Sequence, residues 1–441
     1  MKKIALISLG CAKNLVDSEV MLGYLRNAGY KFVSNIKKAD IIIINTCGFI
    51  KPARQEAHET LTEAITLKNA SKLPSQKIIA VGCYVQTDKK SLKHKFPEVD
   101  AWFGVNDFDK IVDVIEGTPF KHASQCFLYD HDSPRCLSTP PAWTYIKISE
   151  GCSHRCGFCA IPLIKGPYRS RSIPSIIKEA KELASKGIKE INIISQDSTY
   201  YGSDIGLKVG LPHLLKELLK IQSLKWIRIL YGYPEEITDS LLGVMQEEKI
   251  CPYLDLPFQH SAPKILKLMK RGMDGHRALK LINEIRKKIP DIALRTSLVV
   301  GFPGEGPKEF ANLKNFVKEA QFNHLGVFLY SREKGTDCYY LRDPVKESIK
   351  LKRQEEIMQM QAEISLNKNK KYLHQTMDVL IDCVLAKNPN VYTGRTQFQA
   401  PEVDGMVFVN RTNSKKNLLN TIQKVEITKP DVYDLYGKIV K

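Results

Sequence analysis

Short, almost uniformly apolar runs alternate with longer segments of helical spacing through most of the chain. Residues 4–9, 41–45 and 77–81 are such runs, and 15–28 and 53–67 carry the helical spacing. Strands that are apolar on both faces and separated by helices predict a parallel sheet covered on both sides. Between 142 and 371 the alternation continues at greater length. Strands are predicted at 145–148, 190–194, 226–230, 253–256, 293–299 and 324–328, with helices such as 173–185, 262–270 and 276–288 between them. Six such units predict a partial parallel barrel, closed by a polar helix over 346–372. The pattern then changes to short β-like runs at 377–384, 391–395, 405–409 and 421–427, which predict a small β-barrel. Residues 122–141 are turn-rich, lack periodicity and read as a linker. The expected fold class is α/β. It comprises a parallel α/β domain over 1–121, a partial (βα)6 barrel over 142–371 and an all-β barrel over 372–441.

Composition narrows the function classes. The chain has 441 residues, 43% hydrophobic and 26% charged, which excludes wholesale disorder. No apolar run approaches the ~20 residues a membrane-spanning helix needs. The apolar run after Lys2 and Lys3 is too short for a signal peptide, so the cytoplasm is the expected location and no membrane partner is expected. Eleven cysteines in such a chain point to metal or catalytic roles for those that cluster. A net charge of +18 favours a polyanionic neighbourhood such as RNA. The last segment contributes little to it, with nine Lys and Arg against seven Asp and Glu over 372–441.

Each of the first three strands runs into a cysteine: Cys11, Cys47 and Cys83, at intervals of 36 residues. In a parallel sheet the strands' carboxyl ends share one edge, where ligands bind. Three thiols delivered there can converge on one metal centre; the alternative is three buried apolar thiols. The strongest local signal is Cys152-Ser153-His154-Arg155-Cys156-Gly157-Phe158-Cys159, directly after the first barrel strand. Three thiolates within eight residues form a soft-ligand cage suited to an iron–sulfur cluster. A [4Fe–4S] cluster on three cysteines keeps one iron open to a substrate or cofactor. Structural zinc and a ferredoxin-like carrier are the alternatives, but zinc wants a fourth ligand and His154 between the cysteines is poorly placed to be one.

This spacing with an aromatic before the last cysteine resembles the radical S-adenosylmethionine (SAM) enzymes. Together with residues 8–14 (SLGCAKN), 45–49 (NTCGF), 82–84 (GCY), 301–305 (GFPGE) and 394–396 (GRT), the whole chain resembles the methylthiotransferase family. The resemblance implies a C-terminal TRAM-type barrel, SAM and two [4Fe–4S] clusters. Cys152, Cys156 and Cys159 would hold the radical-generating cluster, whose open iron chelates SAM. Cys11, Cys47 and Cys83 would hold an auxiliary cluster that carries the sulfur. The radical from SAM would take hydrogen from an unactivated carbon, which then receives the methylthio group. No catalytic residue beyond the cluster ligands is implied, because the cofactors perform the hard step and the protein positions them. Phe158 is expected beside the adenine, and Gln196, Gly301, Gly304 and Glu305 are candidate SAM contacts. Gln259-His260, at the end of another barrel strand, is a weaker candidate for a catalytic pair, and Lys165-Gly166 stands where the family more often has Arg-Gly. Cys126, Cys136, Cys251, Cys338 and Cys383 read as ordinary thiols, and residues 368–371 as a solvated helix end.

Two substrates compete within the family: an aspartate of the small-subunit ribosomal protein twelve, and an adenosine of tRNA. The opening 8–19, residues 400–405 and the ending 433–437 resemble the ribosomal-protein branch. The near-neutral tail agrees, because a barrel that grips tRNA should be basic. Acidic pairs such as Glu402 with Asp404 and Asp431 with Asp434 would suit a basic protein substrate. A flavodoxin- or ferredoxin-like electron donor is implied as a further partner. A non-catalytic iron–sulfur binding factor is the reading from outside the enzymes.

Overall fold

A computed structural model describes residues 2–70, 76–342, 345–410 and 417–440. The N-terminal region is a five-stranded parallel sheet. Its strands are β1 (Lys3–Ser8), β2 (Lys31–Phe32), β3 (Ile41–Thr46), β4 (Lys77–Gly82) and β5 (Ala101–Phe103), in the order β2-β1-β3-β4-β5. The isoleucines of β3 are buried on both faces, which is why the strand reads as a continuous apolar run. Helices α1 (Ala12–Asn27), α2 (Lys51–Ala70) and α3 (Cys83–Lys95) follow β1, β3 and β4. The edge strands β2 and β5, two and three residues long, are too short to leave a periodic signal.

The middle region is a six-stranded parallel sheet. In spatial order it runs β13 (His324–Leu329), β12 (Ala293–Val300), β11 (Ile250–Asp255), β10 (Trp226–Ile229), β9 (Glu190–Ile194) and β6 (Trp143–Lys147). The small pair β7 (Ser149–Glu150) and β8 (Arg169–Ser170) carries the chain past the end of β6. One face of the six strands packs Ile146, Ile191, Ile193, Ile227 and Leu254 against the surrounding helices. The other carries Trp143, Tyr145, Ile194, Trp226 and Tyr253.

That inner face is covered by α1, which explains its unusual sequence. Asn14, Asp17, Ser18 and Glu19 are as buried as Val16 and Val20, because α1 lies between its own sheet and the barrel. Val16 and Val20 join the barrel's aromatic cluster, while the buried polar side chains meet polar partners across the boundary.

The linker departs from its expected character. It forms neither helix nor strand, yet it is a packed strap. The Tyr129 hydroxyl donates to Glu179, and Arg135 pairs with Glu19 at 2.6 Å and Glu179 at 2.8 Å. A Cβ on Gly23 would come within 2.2 Å of the Pro134 carbonyl oxygen, so the bare glycine lets the strap cross α1.

The C-terminal region is a closed barrel in the order β14-β15-β16-β18-β17. Its strands are β14 (Thr376–Val384), β15 (Val391–Arg395), β16 (Val407–Asn410), β17 (Ile422–Pro430) and β18 (Leu435–Ile439). The fifth strand was not expected. It is five residues long with a central glycine, where a Cβ would stand 2.4 Å from Val425 Cγ1. The barrel is wedged into the inner face of the six-stranded sheet. Arg395 reaches Glu190 at 2.7 Å, Arg228 reaches Glu190 at 2.9 Å, and the Tyr253 hydroxyl donates to Asp404 at 2.7 Å. The expectation that Glu402 and Asp404 form an acidic surface patch is therefore corrected. The Asp404 side chain is buried between Tyr253, Arg295 and His324, and Glu402 accepts from the Tyr145 hydroxyl.

Candidate functional site

Adjacent strands bring the first three cysteines together. β1, β3 and β4 are neighbours in register, so the loops after Ser8, Thr46 and Gly82 emerge side by side. Their packing is tight. Gly10 has φ +88°, and a Cβ there would lie 2.6 Å from Cys47 Cβ; a Cβ on Gly48 would lie 2.6 Å from Tyr84 Cα. The Cys83 thiol donates to Asn14 Oδ1 at 3.6 Å, and Asn14 in turn donates to the carbonyls of Leu9 and Thr46, tying the loops at the site. Burial pushes the Cys47 thiol up to about 11, with Cys11 adding to the effect, and pushes Cys83 higher still.

The second group follows β7. Cys152, Cys156 and Cys159 line one cavity of about 580 Å³, together with His154, Lys270 and Thr336. Burial raises Cys152 to about 11 and Cys159 to about 12. Their motif is pinned from behind. His154 Nε2 lies 2.6 Å from Asp197 Oδ2, and its ring stacks on Tyr233 at 3.8 Å. The Arg271 guanidinium sits 4.0 Å from the same tyrosine ring and donates to Cys156 Sγ at 3.7 Å. His154 is thus engaged away from the cysteines, which disfavours a zinc site built from this motif.

A buried charge network bridges the two groups. Lys147, from β6, pairs with Asp17 of α1 and with Glu150 at 2.6 Å; Lys165 reaches Asp17 at 3.2 Å and Glu150 at 3.5 Å. Burial alone would raise the Glu150 carboxyl, but Lys147 and Lys165 outweigh it and hold it at about 2. Burial likewise opposes the charge on both lysines, yet Asp17 and Glu150 keep them raised. Two cations and two carboxylates balance with nothing left over, the condition for burying such a group at tolerable cost. Sequence reading missed Lys147, Asp17 and Glu150 in this role, because their partnership exists only across the domain boundary.

The remaining candidates sit as follows. Gln196 donates to Glu150, while its Oε1 is buried without a hydrogen-bond partner. Gly301 and Gly304 both have positive φ, +73° and +86°, in the turn after β12. Both Glu305 oxygens are engaged by protein: one accepts from the Gly301 and Phe302 amides, the other pairs with Arg353 at 2.8 Å. Glu305 thereby shapes the glycine turn from behind. Phe158 packs against the cluster of Ala262, Ile265, Met269 and Phe302. His260 is fully buried, accepting from the Ala262 amide and lying 3.5 Å from Glu305, on the inner side of that turn.

Among the described residues, no three His, Cys, Asp or Glu side chains converge to hold a single metal ion. A cluster makes a different demand. Each cysteine binds its own iron, so three thiolates ring a space rather than meet at its centre. Both cysteine groups offer soft ligands only, and Gln196, which donates to Glu150 two residues before Cys152, keeps its Oε1 buried without a hydrogen-bond partner. The residues present fit two such groups.

Comparison with known proteins agrees. Residues 3–104 match the uncharacterized protein family UPF0004, 146–317 the radical SAM superfamily and 375–440 the TRAM domain. Among curated relatives, the ribosomal protein uS12 methylthiotransferase RimO of Caldanaerobacter subterraneus is 45% identical over 99% of this chain and 100% of its own. The same protein of Aquifex aeolicus is 44% identical over 99% and 97%, and that of Clostridioides difficile 43% over 100% and 99%. Among solved structures, the radical SAM methyltransferase TsrM of Kitasatospora setae aligns with TM-score 0.54 at 14% identity, over 75% of this chain and 74% of that one. OxsB with aqua-cobalamin aligns with TM-score 0.51 at 13% identity, over 82% and 56%. Those two share the fold, and the curated relatives share the sequence from end to end. The chain belongs to the ribosomal protein uS12 methylthiotransferase family.

Proposed function

We infer that this chain is a radical SAM enzyme that places a methylthio group on the β-carbon of an aspartate in ribosomal protein uS12. The observation that carries the reading is the pair of three-cysteine groups held on either side of one buried charge network. The full-length relatives supply the substrate. In this reading Cys152, Cys156 and Cys159 hold the SAM-cleaving cluster, and Cys11, Cys47 and Cys83 the auxiliary one. When bound, the two clusters supply reductive SAM cleavage and sulfur delivery.

The chain's own residues bind and orient. Gln196 offers its free Oε1, the Gly301–Gly304 turn offers close backbone approach, and Phe158 offers an aromatic edge to SAM. Glu305 holds that turn in shape. Asp17, Lys147, Glu150 and Lys165 fix one cysteine group against the other, since the transfer needs both in one geometry. The functional divisions follow as 1–121, 142–371 and 372–441, with 122–141 as the strap. No helix among the described residues is long and apolar enough to cross a membrane. A cytoplasmic location and a flavodoxin- or ferredoxin-like donor complete the reading.

Two variants test the division of labour. After anaerobic reconstitution, C152A should lose 5′-deoxyadenosine formation, while C11A should keep it and lose methylthio transfer to uS12. Methylthio transfer by C11A at the wild-type rate would refute the auxiliary assignment.

A further inference from the structure

Lys13 stands two residues after Cys11, in the first turn of α1, and reaches across to the barrel. Its Nζ donates to the Ser195 carbonyl at the end of β9, at 3.3 Å, and lies 3.2 Å from the centroid of the Tyr231 ring. Tyr231 itself, just past β10, holds a left-handed backbone with φ +60°. Residues kept in that region persist only where surrounding structure demands it, and they concentrate at ligand sites. The side chain is half-buried rather than sealed.

The charges around it are already allotted. Asp255 pairs with Arg295 at 3.1 Å and accepts from the Tyr231 amide at 3.3 Å. Glu150 is taken by Lys147, Lys165 and Gln196. Among the described residues, no carboxylate oxygen lies within 4.0 Å of Lys13 Nζ, so its charge rests on one carbonyl and one aromatic face. An ammonium has three donors; with one given to the Ser195 carbonyl and one turned to the Tyr231 face, one is left for a ligand. Asp255 and Glu150 are each matched by their own cations, and among the described residues Lys13 keeps a charge that no carboxylate of this rim neutralises.

We propose that Lys13 binds the carboxylate of the substrate aspartate and selects it over an uncharged side chain. The proposal rests on the uS12 reading above. The carbon to be modified is bonded directly to the carboxylate carbon. A cation that grips the carboxylate beside Cys11 therefore places the reacting carbon between the two cysteine groups.

A double-mutant cycle in binding tests this. Reconstituted enzyme is titrated with purified uS12 and with uS12 whose modified aspartate is changed to asparagine. The wild type should bind the aspartate form about tenfold or more tightly, as a charge-assisted hydrogen bond provides. K13M and K13Q should bind both forms equally and weakly, whereas K13R should keep part of the preference. A structural defect would weaken both forms and leave their ratio intact. If K13M or K13Q prefers aspartate as strongly as the wild type does, or if the wild type binds both forms equally, the Lys13 proposal is overturned. If the wild type binds neither form, the uS12 reading itself fails.

Discussion

Arg271 is the one cation whose guanidinium donates to a cysteine sulfur of the second group, at 3.7 Å from Cys156 Sγ among the described residues. It is held there by Tyr233 and, through that ring, by His154 and Asp197. Hydrogen bonds to ligand sulfur stabilise the more negative, reduced cluster. Replacing Arg271 with Met should therefore lower the reduction potential of the SAM-cleaving cluster. Loss of about 1.5 kcal/mol corresponds to about 60 mV for a one-electron couple. Redox titration followed by electron paramagnetic resonance reads it, and an unchanged potential would contradict the role. At this scale the grouping of the six cysteines is legible in sequence, because three fall within eight residues and three follow the strands β1, β3 and β4 at one spacing. Arg271 and Lys13 are not, since each meets its partner across a long stretch of chain. Glu305 is half-legible: the motif marks the turn, and only the structure gives both its oxygens to protein.

Among the elements, α1 decides how the two cysteine groups stand. Lys147→Met would leave the buried carboxylates of Asp17 and Glu150 with Lys165 as their one remaining cation among the described residues. Removing one partner from such a network costs about 3–5 kcal/mol. Calorimetry should show a clear fall in Tm, and a Tm within a degree or so of wild type would refute the network's structural weight. The end of the helix Glu347–Lys370 offers a test with a sign. Burial, then Arg286 and Lys371, lower the Lys368 ammonium from 10.5 to about 8. A folded-state pKa below the unfolded one means the unfolded chain binds more protons in that window. Stability should then rise with pH between about 8 and 10.5 through this group. Relative to wild type, K368M should unfold at higher temperature near neutral pH, with the difference vanishing above pH 10.5; a constant difference across the range would contradict it. The expected solvated helix end holds at Lys370 and Lys371, which are exposed, while Lys368 is half-buried. Most of the strands and helices expected from the sequence stand within a residue or two of their observed bounds, because long apolar periods survive any context, whereas helices such as Gly210–Leu219 and Pro307–Ala320 were not expected. The short ones were not: β2, β5, β7 and β8 exist only by pairing, and β18 hides behind its glycine. The strap's lack of periodicity was visible, but its anchoring through Arg135 and Tyr129 was not.

The whole molecule is interlocked rather than strung together. Glu190, at the start of β9, is shared by Arg228 of its own barrel and Arg395 of the C-terminal one. Arg395→Met should destabilise the full chain by about 3 kcal/mol or more, because Glu190 would stay buried with half its partners. A Tm equal to that of the wild type would show the two barrels to be independent. The same wedge takes Asp404 out of the surface charge, so the near-neutral C-terminal barrel does not attract a basic partner through that pair. The most direct test of the account is a competition. Reconstituted enzyme, SAM and a reductant are offered purified uS12 and unmodified tRNA in one anaerobic tube, and both are read by mass spectrometry. The account predicts a methylthio group on one uS12 aspartate with the tRNA unchanged. A methylthio group on a tRNA adenosine, with uS12 untouched, would contradict it.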